Sequence, residues 1–171
     1  MAIVPNIRTG MQNKSMTDVL FSAETVVVDQ TIVSQKQLFQ DMATRIIEAH
    51  DLSITCRDVV AAAMERERLG STGVGNGVAL PHARIDGIDR VMAAFARLTE
   101  PMEFDSVDGR PVDLVAFLVA PADAAGAHLR ALARVSRQLR REENRARLRS
   151  APDALSVFTI LSDDPLNRVA A

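Results

Sequence analysis

The sequence predicts an α/β domain of packed helical and strand layers. Three observations carry that prediction: segments with helical apolar spacing alternate with short β-branched or apolar runs, 171 residues suit one compact core, and 47% are apolar against 25% charged. Thr25 to Val28 is β-branched and reads as a short strand. Ser34 followed by Gln37 has the spacing of a capping box, and Leu38, Phe39, Met42, Ala43, Ile46 and Ile47 then recur on one face, which predicts a helix over 35–49. Thr55 with Asp58 repeats the start signal, Val59, Val60, Ala63 and Met64 continue the stripe, and Gly70 offers a stop, so a second helix ends near Arg68. Val78-Ala79-Leu80 is a short strand-like piece. Val91 to Leu98 reads as a strand ending before the turn-like Glu100-Pro101. Val112 to Ala120, apolar on nearly every residue between Pro111 and Pro121, suits a strand covered on both faces. A third long helix is expected over Ala127 to Arg141, with Leu129, Leu132, Val135, Ser136 and Leu139 on one face and Arg130, Arg134, Arg137 and Arg141 on the other. A last helix is expected to start at Asp153, just after Pro152.

Composition narrows the function. Twenty basic against 22 acidic side chains leave a formal charge of -2, so the molecule as a whole does not attract nucleic acid or anionic membranes. Trp and Tyr are absent, which removes most stacking platforms for single-stranded nucleic acid. The eight arginines between Arg130 and Arg149 are read as a solvated helix face rather than an RNA-binding helix, with docking of an acidic protein surface as the lesser alternative. No apolar run reaches the roughly 20 residues of a membrane helix or forms a signal-peptide core. The lone Cys56 permits no internal disulfide and no CxxC pair, which fits a reducing, cytoplasmic setting. His50, His82, His128 and Cys56 show no ligand spacing such as HxxxH, so no metal or other cofactor is expected. Residues 1–15 lack periodicity and read as a flexible N-terminal extension.

The most informative stretch is Gly70-Ser71-Thr72-Gly73-Val74-Gly75-Asn76-Gly77-Val78-Ala79-Leu80-Pro81-His82, which holds four of the chain's eight glycines within eight residues. A P-loop would need lysine where Asn76 stands, and the dinucleotide fingerprint would need glycine or alanine at Val78. Both motifs fail. Pro81 fixes its own φ and would present His82 from a stiff position, and a mostly neutral imidazole is a competent nucleophile toward phosphorus. Without further information, Pro81-His82 is read equally well as a turn in a glycine-rich loop. A serine hydrolase is disfavoured because no GxSxG pentapeptide occurs.

Residues 66–85, RERLGSTGVGNGVALPHARI, closely resemble the active-site segment of bacterial phosphotransferase system enzyme IIA domains of the fructose and mannitol class, especially the nitrogen-regulatory type. Further likeness lies in Pro101 to Asp105, in Gly109 to Leu114, and in Pro121-Ala122-Asp123 followed by His128-Leu129, covering roughly 16–165. The resemblance implies a three-layer α/β/α domain with a mixed β-sheet flanked by helices, residues 16–171 forming a single enzyme IIA type 2-like domain.

It also implies that His82 is the phosphoryl acceptor, loaded by an HPr-like phosphocarrier and discharged to a downstream enzyme IIB or a regulatory target. Arg66 aligns with the arginine placed beside that histidine, and its planar fork can donate to phosphate oxygens. His128 aligns with the second active-site histidine; taken alone, it is an ordinary helix-start histidine. Thr72 and Asn76 offer donors near the acceptor and are candidates for phosphate positioning. Glu65, Glu67 and Arg68 read as a solvated helix end, and His50 as a partner for a helix C-terminus. The family commonly has glycine after the histidine, whereas this chain has Ala83, which would be strained if that position needs positive φ. Three functions stay open: a nitrogen-regulatory phosphoryl carrier, a sugar-specific enzyme IIA of a fructose or mannitol transporter, and an interaction module without onward transfer. A small-molecule domain whose glycine loop holds an anion is the remaining rival.

Overall fold

The computed structural model describes residues 19–163; the expected extension over 1–15 lies outside them. A short 3-10 turn, Ala23–Thr25, leads into β1 (Val26–Gln30), which runs two residues beyond the predicted end at Val28. Helix α1 covers Gln35–Ala49 as its periodicity predicts. The Ser34 hydroxyl accepts from the Gln37 N–H, while the Gln37 side chain takes the Val33 N–H. Helix α2 spans Cys56–Arg68, capped by Thr55, whose hydroxyl accepts from the Asp58 N–H. Strands β2 (Gly73–Gly75), β3 (Val78–Ala79), β4 (His82–Ile85), β5 (Met92–Met102) and β6 (Val112–Pro121) follow, then α3 (Ala125–Arg140), α4 (Glu142–Ser150) and α5 (Ala154–Ser162). Asp153 caps α5 by accepting from the Ser156 N–H.

The six strands form one mixed sheet in the order β1-β5-β6-β3-β2, with β4 also beside β6. β1 is parallel to β5, β5 antiparallel to β6, and β3 and β4 both parallel to β6 at successive positions along it. The apolar run of β6 is legible in three dimensions because strand side chains alternate between faces. Val115, Phe117 and Val119 enter the core under α1 and α2. Leu114, Ala116, Leu118 and Ala120 enter the core under α3, α4 and α5. Burying each large side chain in such a core is worth about 1.5–3 kcal/mol, which explains why a strand without polar alternation is stable only between two helical layers.

Three expectations need correction. β5 continues through Pro101 to Met102, because a register shift against β6 between Arg97 and Met102 gives the proline a place without a ladder bond. The buried stripe of α3 is His128, Ala131, Val135, Gln138 and Leu139, whereas Leu129 is 67% exposed. The arginine-rich stretch is not one solvated face: it breaks into α3 and α4, and Arg145, 9% exposed, donates to the carbonyls of Leu139 and Arg140 and so caps α3. Arg149 pairs with Asp113 at 2.8 Å and donates to the Asn76 carbonyl at 2.7 Å.

The glycine-rich segment is a hairpin. Asn76 at φ 57° and Gly77 at φ 76° form its two-residue turn, the left-handed pair that a primed turn demands. Gly73 is needed for closeness: a Cβ there would fall 2.2 Å from the Ser106 hydroxyl and 3.1 Å from the Ser106 Cα. These glycines answer packing needs of the chain itself.

Candidate functional site

His82 opens β4, with its ring on the side of α3 while Ala83, pointing the other way, is buried in the α1–α2 core. Ala83 has ordinary strand backbone, not positive φ, so alanine is unstrained where the family often has glycine. The concern raised by that substitution falls away.

Both ring nitrogens of His82 have partners, and these settle its tautomer. Nδ1 lies 2.8 Å from the Leu80 carbonyl, which can only accept, so Nδ1 carries the hydrogen. Arg66 Nε–H, which can only donate, lies 3.2 Å from Nε2, so Nε2 carries the lone pair. Arg66 is itself held by Nη1 donating to the Gly70 carbonyl at 2.9 Å, across the turn that ends α2. Burial lowers the His82 pKa below the ordinary imidazole value, and the Arg66 charge adds to this, while the Leu80 carbonyl and the Glu67 carboxylate oppose it. The ring is neutral at pH 7.

His128, in the first turn of α3, packs edge-on against His82 with ring centroids 5.0 Å apart. It is 8% exposed, and its Nε2 is buried without a hydrogen-bond partner among the described residues. Burial, followed by the fields of His82, Arg84 and Arg66, lowers its pKa from 6.5 to about 4. A consequence for stability follows. The unfolded chain takes up this proton near pH 6.5 and the folded chain only near 4, so the histidine's contribution turns unfavourable as pH falls through that window. Comparing melting temperatures at pH 7 and about pH 4.5, wild type is expected to lose more stability than His128→Asn; parallel profiles would contradict this.

The two histidines and Arg66 line an open recess of about 540 Å³ with Glu65, Arg84 and the apolar side chains of Ala62, Leu69, Ala83, Leu129 and Leu132. Leu69 and Leu129 are 79% and 67% exposed, so an oily rim surrounds a polar centre. The structure thus brings together His82, Arg66 and His128. Thr72 and Asn76 do not line the recess. The Thr72 hydroxyl donates to Glu67 at 2.6 Å, and Asn76 sits on the hairpin turn, its N–H donating to Asp108 at 2.8 Å and its carbonyl taken by Arg149. Sequence reasoning missed Arg84, which shares the face of His82 by strand alternation once 82–85 is known to be a strand. It also missed the ordered role of Glu67, for which no local motif gives a signal. Among the described residues no His, Cys, Asp and Glu group of three or more could hold a metal ion, and no helix is long and apolar enough to cross a membrane.

The chain matches known proteins over this whole region. A nitrogen regulatory protein of Bradyrhizobium diazoefficiens is 38% identical over 146 residues, spanning 85% of this chain and 94% of the relative. The crystal structure of nitrogen regulatory protein IIA-Ntr from Neisseria meningitidis superimposes with a TM-score of 0.76 at 35% identity, covering 82% of this chain and 94% of that one. Mannitol enzyme IIA of Escherichia coli, in its complex with phosphorylated enzyme IIB, shares the fold at 18% identity, with a TM-score of 0.69 over 84% of this chain and 98% of that one. The family model for the phosphoenolpyruvate-dependent sugar phosphotransferase system, EIIA 2, matches residues 19–164, and the chain belongs to that family.

Proposed function

We propose that this chain is a phosphoryl carrier of the nitrogen-regulatory type, which accepts a phosphoryl group on His82 Nε2 from a phosphohistidine of an HPr-like protein. One observation carries the reading: a neutral imidazole whose lone pair is fixed on the nitrogen that Arg66 touches, at the edge of an open recess. In the transfer, Nε2 attacks phosphorus as the P–N bond to the donor imidazole breaks, so one such bond replaces another and the donor ring leaves with its electron pair. The proton stays on Nδ1. The ring gains positive character, which strengthens the Nδ1–H bond to the Leu80 carbonyl. The Arg66 guanidinium turns from Nε2 to the phosphoryl oxygens, and His128, neutral at physiological pH, offers a ring N–H to the same group.

The exposed Leu69 and Leu129 favour a protein rather than a small molecule as the visitor, since an apolar rim around a charged centre suits a transient docking face. The named relatives support the regulatory variant, and the enzyme IIA–IIB complex of mannitol transport illustrates an onward acceptor class. A sugar-specific role remains the alternative reading, and the proposed carrier acts in the cytoplasm. Incubation with phosphoenolpyruvate and the general carrier proteins, followed by intact-mass analysis, is expected to show one acid-labile phosphoryl group. Absence of that adduct under conditions that load the carrier would refute the proposal.

A further inference from the structure

The two nitrogens of His82 are addressed from adjacent residues of one helix turn. Arg66 reaches Nε2 directly. Glu67 reaches Nδ1 through two residues: its carboxylate accepts the Thr72 N–H at 2.9 Å and the Thr72 hydroxyl at 2.6 Å, the Thr72 carbonyl accepts the Leu80 N–H at 3.0 Å, and the Leu80 carbonyl accepts His82 Nδ1–H at 2.8 Å. Thr72 is 3% exposed, so both of its donors need a partner, and a carboxylate is the side chain that supplies two acceptor oxygens at once. β3 and β4 tie the chain on either side of Leu80 to β6, and the Leu80 N–H itself goes to Thr72, the residue that the Glu67 carboxylate fixes.

We propose that Glu67 is a positioning residue for the acceptor histidine, clamping Thr72 so that the Leu80 carbonyl holds His82 in its Nδ1–H tautomer with the lone pair on Nε2. The inference rests on His82 being the phosphoryl acceptor, but its structural half is testable apart from transfer. This clamp works without touching the phosphoryl group. The clamp is geometric, beside the opposing field that the Glu67 carboxylate puts on the ring; a Gln at 67 can accept the Thr72 N–H with its oxygen and donate to the Thr72 hydroxyl with its amide, so it should keep much of the clamp.

The test reads the ring nitrogens of His82 by two-bond proton–nitrogen NMR in wild type, Glu67→Ala, Glu67→Gln and Thr72→Val, alongside the rate of loading from phosphorylated carrier. Wild type is expected to show a protonated Nδ1 and a bare Nε2. Glu67→Ala should show both tautomers and load about 10- to 100-fold more slowly, as loss of an orienting partner does at other sites, whereas Glu67→Gln should stay near wild type in both readouts. Folded Glu67→Ala protein with the wild-type tautomer overturns the proposal, including when loading slows, since that pattern marks a structural role only. If Glu67→Ala fails to fold, Thr72→Val, which removes only the hydroxyl leg, decides: a partial tautomer shift supports the clamp and an unchanged spectrum overturns it. A tautomer shift in protein that never accepts phosphoryl groups, even as wild type, supports the clamp and refutes the carrier reading instead.

Discussion

His82→Ala is expected to leave a folded domain that takes no phosphoryl group from the carrier. In the proposed reaction the ring supplies the nucleophilic nitrogen, and neither other imidazole is placed to replace it. His128 is buried with a pKa near 4 and lies under His82, and His50 stands at the end of α1, its Nδ1 3.3 Å from Arg90. The fold should survive because the core at this point is built by Ala83, Leu118 and Val119, not by the half-buried His82. The loss in stability should be about 1 kcal/mol or less, since the lost contacts are to Arg66, His128 and one carbonyl. Intact-mass analysis after incubation with loaded carrier checks the first half and thermal melting the second. Persistent labelling of the variant would move the acceptor elsewhere.

Arg66→Ala should slow loading by about 10- to 100-fold, the worth of a hydrogen bond to a charged group at roughly 1.5–3 kcal/mol. The direction follows from two roles of the guanidinium. Before transfer it holds the Nε2 lone pair and adds to burial in lowering the ring's proton affinity. Afterwards its fork can meet two phosphoryl oxygens. Arg66→Lys should recover only part of the rate, because a single ammonium cannot keep the Gly70 carbonyl and serve the phosphoryl group together. Rapid-quench measurement of the first turnover is the check, and wild-type rates in Arg66→Ala would remove this residue from the chemistry.

How much of this was legible in the residues depends on how local each signal is. Helix α1 was readable to its ends because its cap and stripe lie within sixteen residues, Ser34–Ala49. Strand β6 was readable because burial on both faces leaves an apolar run that no exposed element would tolerate. The turn of the β2–β3 hairpin is also present as Asn76-Gly77, a strong hairpin signal, but a cluster of glycines around it fits a phosphate-holding loop equally well, with Asn76 as a positioning donor. The structure gives that turn to Asp108 and Arg149 instead. The stripe of α3 differs from its apolar pattern because Leu129 has the type of a core residue but borders the recess, where it stays in water. Of the candidate site, Arg66 and His128 are implied by likeness to a family, while His82 is also suggested by its place after Pro81 and the glycine run. Their meeting could not be derived from spacing, because Arg66, His82 and His128 come from α2, β4 and α3, joined only by the sheet.

Strand β4 pairs with β6 and with no other strand among the described residues, so its outer backbone is a sheet margin. Bare margins invite a neighbouring chain to add itself as the next strand and start aggregates. Here the margin is only four residues long, is preceded by Pro81, which has no N–H to donate, and carries the exposed Arg84. The same brevity and stiffness that hold one imidazole at the open recess therefore guard the protein against self-templating. Lengthening this strand, or replacing its proline, would trade solubility for nothing the chemistry needs.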